Sequence, residues 1–434
     1  MKQLTRLFIP ICLETLFYML SGMVDTLMLS AVGDYAVGAV GTANSYIGIF
    51  IIMFSIISSG MVSVMTQNIG AGRPGVAYQA RQLGLLFNAV AGVLMAVFLI
   101  SGAGAILRMV GIADALYEPA LIYLKIVGGG CILNAVIPIF SSYLRAFGYT
   151  KQPLYATIVG NIANFVMNAV FLFVLHKGVA GVAAATVISK ILNLCIVLYF
   201  SHKLISAKNS TERIANKTVL GQIVKVGLPS ACETALYNVA MMLVIRFLNQ
   251  MDAEGLNVTA RSYTATISNF SYCVGAALAQ ANAIMTGWHI GAGELEECDR
   301  GTKRAAFVGV CVAVCMETAI VLGSGFIMPL FTDNPEMTAL VRKLLAIDIV
   351  LEIGRVTNLV FGQALKTSGD AVFPAVIAAV FMFVFAVGGT WLFGISMGLM
   401  AVGAYIGLAS DECVRAVGMV WRWKTGKWRT KKLV

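Results

Sequence analysis

The stretch IPICLETLFY at residues 9–18 returns as LPSACETALY at residues 228–237. Pro10, Glu14, Thr15 and Tyr18 match Pro229, Glu233, Thr234 and Tyr237 at a single offset of 219. Two further matches follow in the same order. Met65-Thr66 with IGAG at 69–72 answers Met285-Thr286 with IGAG at 290–293. Leu144, Arg145, Gly148 and Pro153 answer Leu365, Lys366, Gly369 and Pro374 at an offset of 221. Three ordered matches at a nearly constant offset mark a tandem duplication.

The surroundings of these repeats say what was duplicated. Of the 434 residues, 59% are hydrophobic and only 12% charged, too few charges to coat the surfaces of a soluble protein this long. Twelve apolar runs stand out, at roughly 7–30, 43–68, 83–107, 119–145, 154–175, 179–201, 220–249, 258–288, 304–331, 339–365, 371–394 and 398–421. A bilayer crossing takes about 20 apolar residues, so twelve crossings consume roughly 240 to 300 residues. The expected fold is therefore an all-α polytopic membrane protein with twelve transmembrane helices in two pseudo-symmetric six-helix lobes. Six spans per repeat is an even number, so the repeats are parallel. The run at 119–145 is irregular, holding Lys125 and three successive glycines, Gly128 to Gly130.

The most polar segment, HKLISAKNSTERIANKT at 202–218, separates six spans from six. The expected organisation is an N-lobe at 1–203, a linker at 204–218 and a C-lobe at 219–434 with a basic tail. Alternate loops carry the lysines and arginines, from Lys2 and Arg6 to the tail residues Arg422, Lys424, Lys427, Arg429, Lys431 and Lys432. The opposite loops hold Arg108 and Lys177 among acids such as Asp114, Glu118, Asp252, Glu254 and Asp333. By the positive-inside rule both termini face the cytoplasm, in a bacterial plasma (inner) membrane. The same scatter of basic residues explains the net charge of +10 without nucleic-acid binding. Nine cysteines form no C-x-x-C, and only three histidines occur, so neither a disulfide framework nor a zinc site is expected. No cleavable signal peptide, phosphate-binding loop, G-x-S-x-G elbow or H-E-x-x-H is evident. No enzyme activity and no cofactor are expected. If such a chain transports actively, the energy must come from an ion gradient.

Ionisable residues inside spans are costly and usually functional. On the first span Glu14, Tyr18, Gly22 and Asp25 are spaced 4, 4 and 3, so Glu14 and Asp25 point within about 20° of each other, about 16 Å apart. Asn161, Asn164 and Asn168 form an i, i+3, i+7 stripe on the fifth span, repeated by Thr186, Lys190 and Asn193 on the sixth. Carboxamide oxygens coordinate hard cations, and equally serve as interhelical hydrogen-bonding groups. Lys190 either pairs with Asp25 or competes with a bound cation. In the second half, Glu233 opens the repeat of the first span, and Glu352 and Arg355 are i, i+3 neighbours set to pair with each other. Arg246, Arg261, Glu317, Asp348, Asp411 and Glu412 sit nearer span ends or lack a pattern.

Several segments together resemble the multidrug and toxic compound extrusion (MATE) family. They are VDTLMLSAVG (24–33), QNIGAGRPGVAYQARQLG (67–84), LRAFGYTKQPLY (144–155), GNIANFVMNAVFLF (160–173), GVAGVAAATVISK (178–190), ALKTSGDAVFP (364–374) and the ending with WRWKTGKW. The resemblance covers essentially the whole chain. It implies two six-helix lobes, alternating access, and export of organic, often cationic compounds in exchange for Na⁺ or H⁺. It carries a cation-coupling site onto Asp25, Asn164, Asn168 and Thr186, with Na⁺ held by Asp25 as the metal alternative. The position of Asn168 is often Asp in that family, so this chain keeps one carboxylate where relatives keep two. Read from the residues themselves, Glu14, Tyr18, Glu233, Tyr237, Glu352 and Arg355 are the candidates for a substrate cavity. The expected partners are a small organic molecule and the lipid bilayer, with the protein a monomer. Rival readings are a lipid-linked saccharide flippase of the same superfamily and an uncoupled channel or structural protein.

Overall fold

A computed structural model describes residues 2–110, 112–205, 212–252 and 255–434. The middle of the polar segment at 204–218, Lys208 included, lies outside the described residues, as does Glu254.

Each apolar run is a helical rod. In order they are α1 (Lys2–Ser30), α2 (Asp34–Gly70), α3 (Pro74–Val110), the pair α4 (Asp114–Gly129) and α5 (Cys131–Ala146), α6 (Lys151–Ala169), and α7 (Gly178–Leu204). The second series is α8 (Asn216–Met251), α9 (Leu256–Ala292), α10 (Leu295–Ile327), α11 (Pro335–Thr367), α12 (Val372–Phe381) and α13 (Met400–Lys424). The irregular run is the broken rod: α4 and α5 meet at Gly130 with a 41° bend. Eight helices are long and apolar enough to cross a membrane, nine if that pair is one span, among the described residues. The rods missing from that set are α9, α11 and α13. Two of them hold the interior charges Asp348, Glu352, Arg355, Asp411, Glu412 and Arg415, which lower their hydropathy without shortening them.

The chain forms two compact units, Thr5–Gly227 and Leu228–Val434 with Met1–Leu4. The duplication is visible in their turns. Helix α2 ends at the first IGAG, where Gly72 has φ +75° and the Arg73 amide donates to Asn68 O at 2.8 Å. Helix α9 ends at the second, where Gly293 has φ +79° and the Glu294 amide donates to His289 O, also at 2.8 Å. This is a left-handed C-cap that satisfies a terminal carbonyl and favours glycine. Gly148 and Gly369 close α5 and α11 in the same way, with Tyr149 donating to Leu144 O and Asp370 to Leu365 O.

A wide turn is repeated too. The rod begun by α6 finishes in a π-helical segment at Val170–Val174, and the rod begun by α12 in π segments at Met382–Val387 and Thr390–Ser396. Against the latter, α13 presents Gly403 and Gly407. A Cβ at Gly403 would lie 2.4 Å from the Phe393 backbone, so only this small-x-x-x-small face allows the approach.

In the unit Thr5–Gly227 the start of α8 approaches α2 as closely. A Cβ at Gly227 would sit 1.7 Å from Ile56 O, and one at Gly60 2.0 Å from Ile223 O. Large apolar side chains such as Leu27, Leu86, Val97, Phe307 and Leu322 stand exposed on the rods, as lipid-facing positions require.

After α13 the chain turns back. A 3-10 turn at Lys427–Thr430 stacks Trp428 on Trp423 at 4.2 Å. Trp423 Nε1 donates to Asp299 at 2.7 Å, Arg422 binds Asp370 at 2.7 Å, and Arg429 binds Glu296 at 2.7 Å. No disulfide links cysteines among the described residues.

Candidate functional site

The first unit gathers polar groups where α1, α6 and α7 carry them. Asn168 Nδ2 donates to Asp25 Oδ1 at 2.8 Å and lies 3.1 Å from Asn164 Oδ1. Asn168 is fully buried and Asn164 nearly so. The i, i+4 spacing of the two asparagines on α6 puts both carboxamides on the face that meets Asp25. Thr186 bonds its own helix, Oγ1 to Val182 O at 2.9 Å, and reaches the group through Tyr123, which lies beside Asn44, Thr186 and Asp25. Asn161 turns aside and donates to Phe17 O at 2.9 Å. The Lys190 ammonium donates to Asn134 Oδ1 at 2.8 Å. It faces Asp25 electrostatically but does not form the direct ion pair that was one sequence alternative.

Nearer the first repeat motif, Glu14 pairs with Arg145 at 2.6 Å. In the second unit the matched residues do the same: Glu233 pairs with Lys366 at 2.8 Å. Both carboxylates belong to the P-x-x-x-E-T motif and both cations to the third matched segment. The duplicated motif is thus an interhelical ion pair made twice.

The second unit is far more charged inside. Its cavity of about 460 Å³ is lined by Glu233, Asp348, Asp411 and Glu412 against Arg261, Arg355, Lys366 and Arg415, with Tyr237, Tyr272 and Tyr405 between them. Arg355 contacts Glu352 and lies 3.8 Å from Glu412. Arg415 reaches Asp411 and Glu412, each at 2.7 Å. Glu352 and Glu317 stand behind the wall with no exposed surface.

A family model, MatE, matches residues 10–170 and 229–392, once in each repeat. The chain belongs to the MATE family. It is 32% identical to the uncharacterized transporter YisQ of Bacillus subtilis, over 97% of this chain and 94% of that one. It is 20% identical to the probable multidrug resistance protein NorM of Thermotoga maritima, over 100% of this chain and 94% of that one. A solved MATE structure in the bent conformation shares the fold, with a TM-score of 0.86 at 20% identity over 99% and 96% of the two chains. The protein is a transporter of the membrane, not an enzyme.

Within this MATE chain, Asn168 bridges Asp25 and Asn164, and Glu352 and Arg355 pair as their i, i+3 spacing predicts. Glu233, Tyr237 and Arg355 line one cavity, whereas Glu352 lies behind it. Glu14 and Tyr18 belong to the other unit, where Tyr18 is 72% exposed. Sequence reasoning left Glu317, Asp348, Asp411 and Glu412 without a role, yet they form the densest charged cluster described. A signal was present: Asp348, Glu352 and Arg355 are spaced i, i+4, i+7 on α11, and Asp411 and Arg415 are i, i+4 on α13, each set on one helical face.

Proposed function

We propose that this protein is a secondary active exporter of organic, often cationic compounds, driven by a Na⁺ or H⁺ gradient through alternating access. The observation that carries the reading is the hydrogen-bonded group inside the first unit that joins half-buried Asp25 to buried Asn168 and Asn164. A lone carboxylate inside a span, among neutral carboxamides with Tyr123 and Thr186 beside it, is costly and by default functional rather than a packing contact. The multidrug name of the NorM relative supports the substrate class.

Asp25 takes the cation when the transporter opens outward. Cation entry changes the packing of α1, α6 and α7 and releases the substrate, which binds again from the cytoplasm once the cation has left. Coupling follows only if the two ligands prefer different conformations. Lys190, held on Asn134, is the internal counter-charge for Asp25 while no cation is bound. Both termini lie in the cytoplasm of a bacterial inner membrane, and the working unit is a monomer.

The cavity of the second unit matches four carboxylates with four basic groups. It has no cationic surplus of the kind a lipid pyrophosphate needs, which favours the exporter over the flippase. The test is efflux of organic cations from vesicles under separately imposed Na⁺ and H⁺ gradients. Asp25→Asn abolishes gradient-driven efflux if the reading holds; unchanged efflux ends it.

A further inference from the structure

We propose that the second unit binds an anionic phospholipid in a second cavity, between the end of α10 and the start of α11. The cavity measures about 800 Å³. Val321, Pro329 and Ala346 give it apolar walls, while Arg342, Lys343 and Asp333 give it charge. Two cations against one acid leave a positive surplus. Both cations are exposed, and neither makes an ion pair or a side-chain hydrogen bond among the described residues.

Their depth is what calls for a partner. The 33 residues of α11 make a rod about 50 Å long, against a hydrocarbon core of about 30 Å. Centred in the bilayer, the rod overhangs that core by about 10 Å at each end. Arg342 and Lys343 stand about 10–12 Å along it from Pro335, level with the edge of the core. Cationic side chains at that level pair, face a bundle interior or reach for headgroups. These two have no protein anion and no interior position. The anion that the bilayer itself supplies there is a lipid phosphate, which takes charge-assisted hydrogen bonds from a guanidinium and an ammonium.

The place for an acyl chain lies beside them. Leu322, Phe326 and Leu330 follow at four-residue steps along α10 and the 3-10 turn after it, 72%, 87% and 83% exposed. Leu322 and Leu330 each come one position after a wall residue, Val321 and Pro329. The duplication sharpens the assignment. Helix α4 begins at Asp114 and α11 at Pro335, the same offset of 221 that relates the third matched segment. At that offset the first unit has Leu121 and Ile122 in place of Arg342 and Lys343, and Lys125 in place of Ala346. The second unit has thus gained two adjacent cations and set a small residue in the cavity wall where its copy carries a long one.

This inference does not rest on the exporter reading. Purified full-length protein in a neutral detergent is heated with phosphatidylglycerol, phosphatidylcholine or inorganic phosphate, and the surviving monodisperse peak is read by size-exclusion elution. Phosphatidylglycerol raises the melting temperature in a saturable way, well beyond the other two. Arg342→Gln combined with Lys343→Gln raises the phosphatidylglycerol needed at least about tenfold. Arg73→Gln, which removes an exposed cation of the first unit, leaves the requirement unchanged. Equal stabilisation by phosphatidylcholine or by inorganic phosphate overturns the proposal. So does a shift that survives the double substitution, or an equal loss in Arg73→Gln. Ala346→Trp fills the cavity and keeps both cations, and it too weakens the lipid effect at least about tenfold. If the double variant does not fold, Ala346→Trp decides, and an unchanged requirement there overturns the site.

Discussion

The two units share a skeleton and differ in chemistry. Each closes its helices with the same glycine caps, and each ties its first span to a later one by a carboxylate–cation pair, Glu14–Arg145 in one and Glu233–Lys366 in the other. Their polar interiors then diverge. The first unit holds Asp25 among asparagines and faces it with Lys190. The second packs Glu317, Asp348, Glu352, Asp411 and Glu412 around two arginines. Most of the residues that both copies retain turn or fasten helices, and the buried charges of α11 and α13 are where the copies differ.

Substitutions confined to one unit separate the roles of the two interiors. Asp25→Asn is expected to lower gradient-driven efflux at least tenfold, an effect of about 1.4 kcal/mol or more, read in vesicles with an imposed gradient. Gly227→Ala tests the close packing particular to the first unit. Its Cβ meets the Ile56 carbonyl, and we expect about 3 kcal/mol of destabilisation, seen as earlier heat-induced loss of the monodisperse elution peak.

The shared pair makes a symmetric prediction. Arg145→Met and Lys366→Met each leave a half-buried carboxylate without its cation, at about 1–3 kcal/mol in the same assay. Arg145→Lys and Lys366→Arg borrow the residue of the other unit and cost less. A large loss in only one unit would show that the pair is not common scaffolding.

The smallest effect belongs to the turn before α9. There the Asp252 carboxylate accepts the amides of Leu256 and Asn257 at 2.8 and 3.0 Å. Slight burial opposes its ionisation, but these hydrogen bonds prevail and hold its carboxyl below the usual range. Its contribution is present above the unfolded value of about 3.9 and fades as pH falls through the lower folded value. Asp252→Ala removes about 0.5 kcal/mol near neutral pH and less in acid, measurable as a pH-dependent gap in melting temperature.

Much of the skeleton was legible because it depends on local rules. Runs of apolar residues mark the rods, Gly128 to Gly130 mark the broken one, and a repeated motif reveals the doubling. Within one helix, spacing also predicts contact, as with Glu352 and Arg355. Contacts between helices are a different matter. Glu14 and Arg145 were each visible in a repeated segment, but nothing in the spacing showed that they touch. Glu317 meets Asp348 and Glu352 only because α10 and α11 lie side by side, and on α10 it has no charged neighbour at helical spacing to mark its face. Lys190 illustrates the same limit from the other side. Its position suggested Asp25 as a partner, while the fold supplies Asn134 from a helix that periodicity does not relate to α7.

The chain end has a practical consequence. Arg422, Lys424, Lys427, Arg429, Lys431 and Lys432 would make an unstructured tail a ready substrate for trypsin. Here the segment is fastened by Trp423, Trp428 and the contacts to Asp299, Asp370 and Glu296. Cleavage must then wait for local opening. The rate of tail cleavage thus becomes a clock for transient unfolding at that end of the second unit, one that runs without any label.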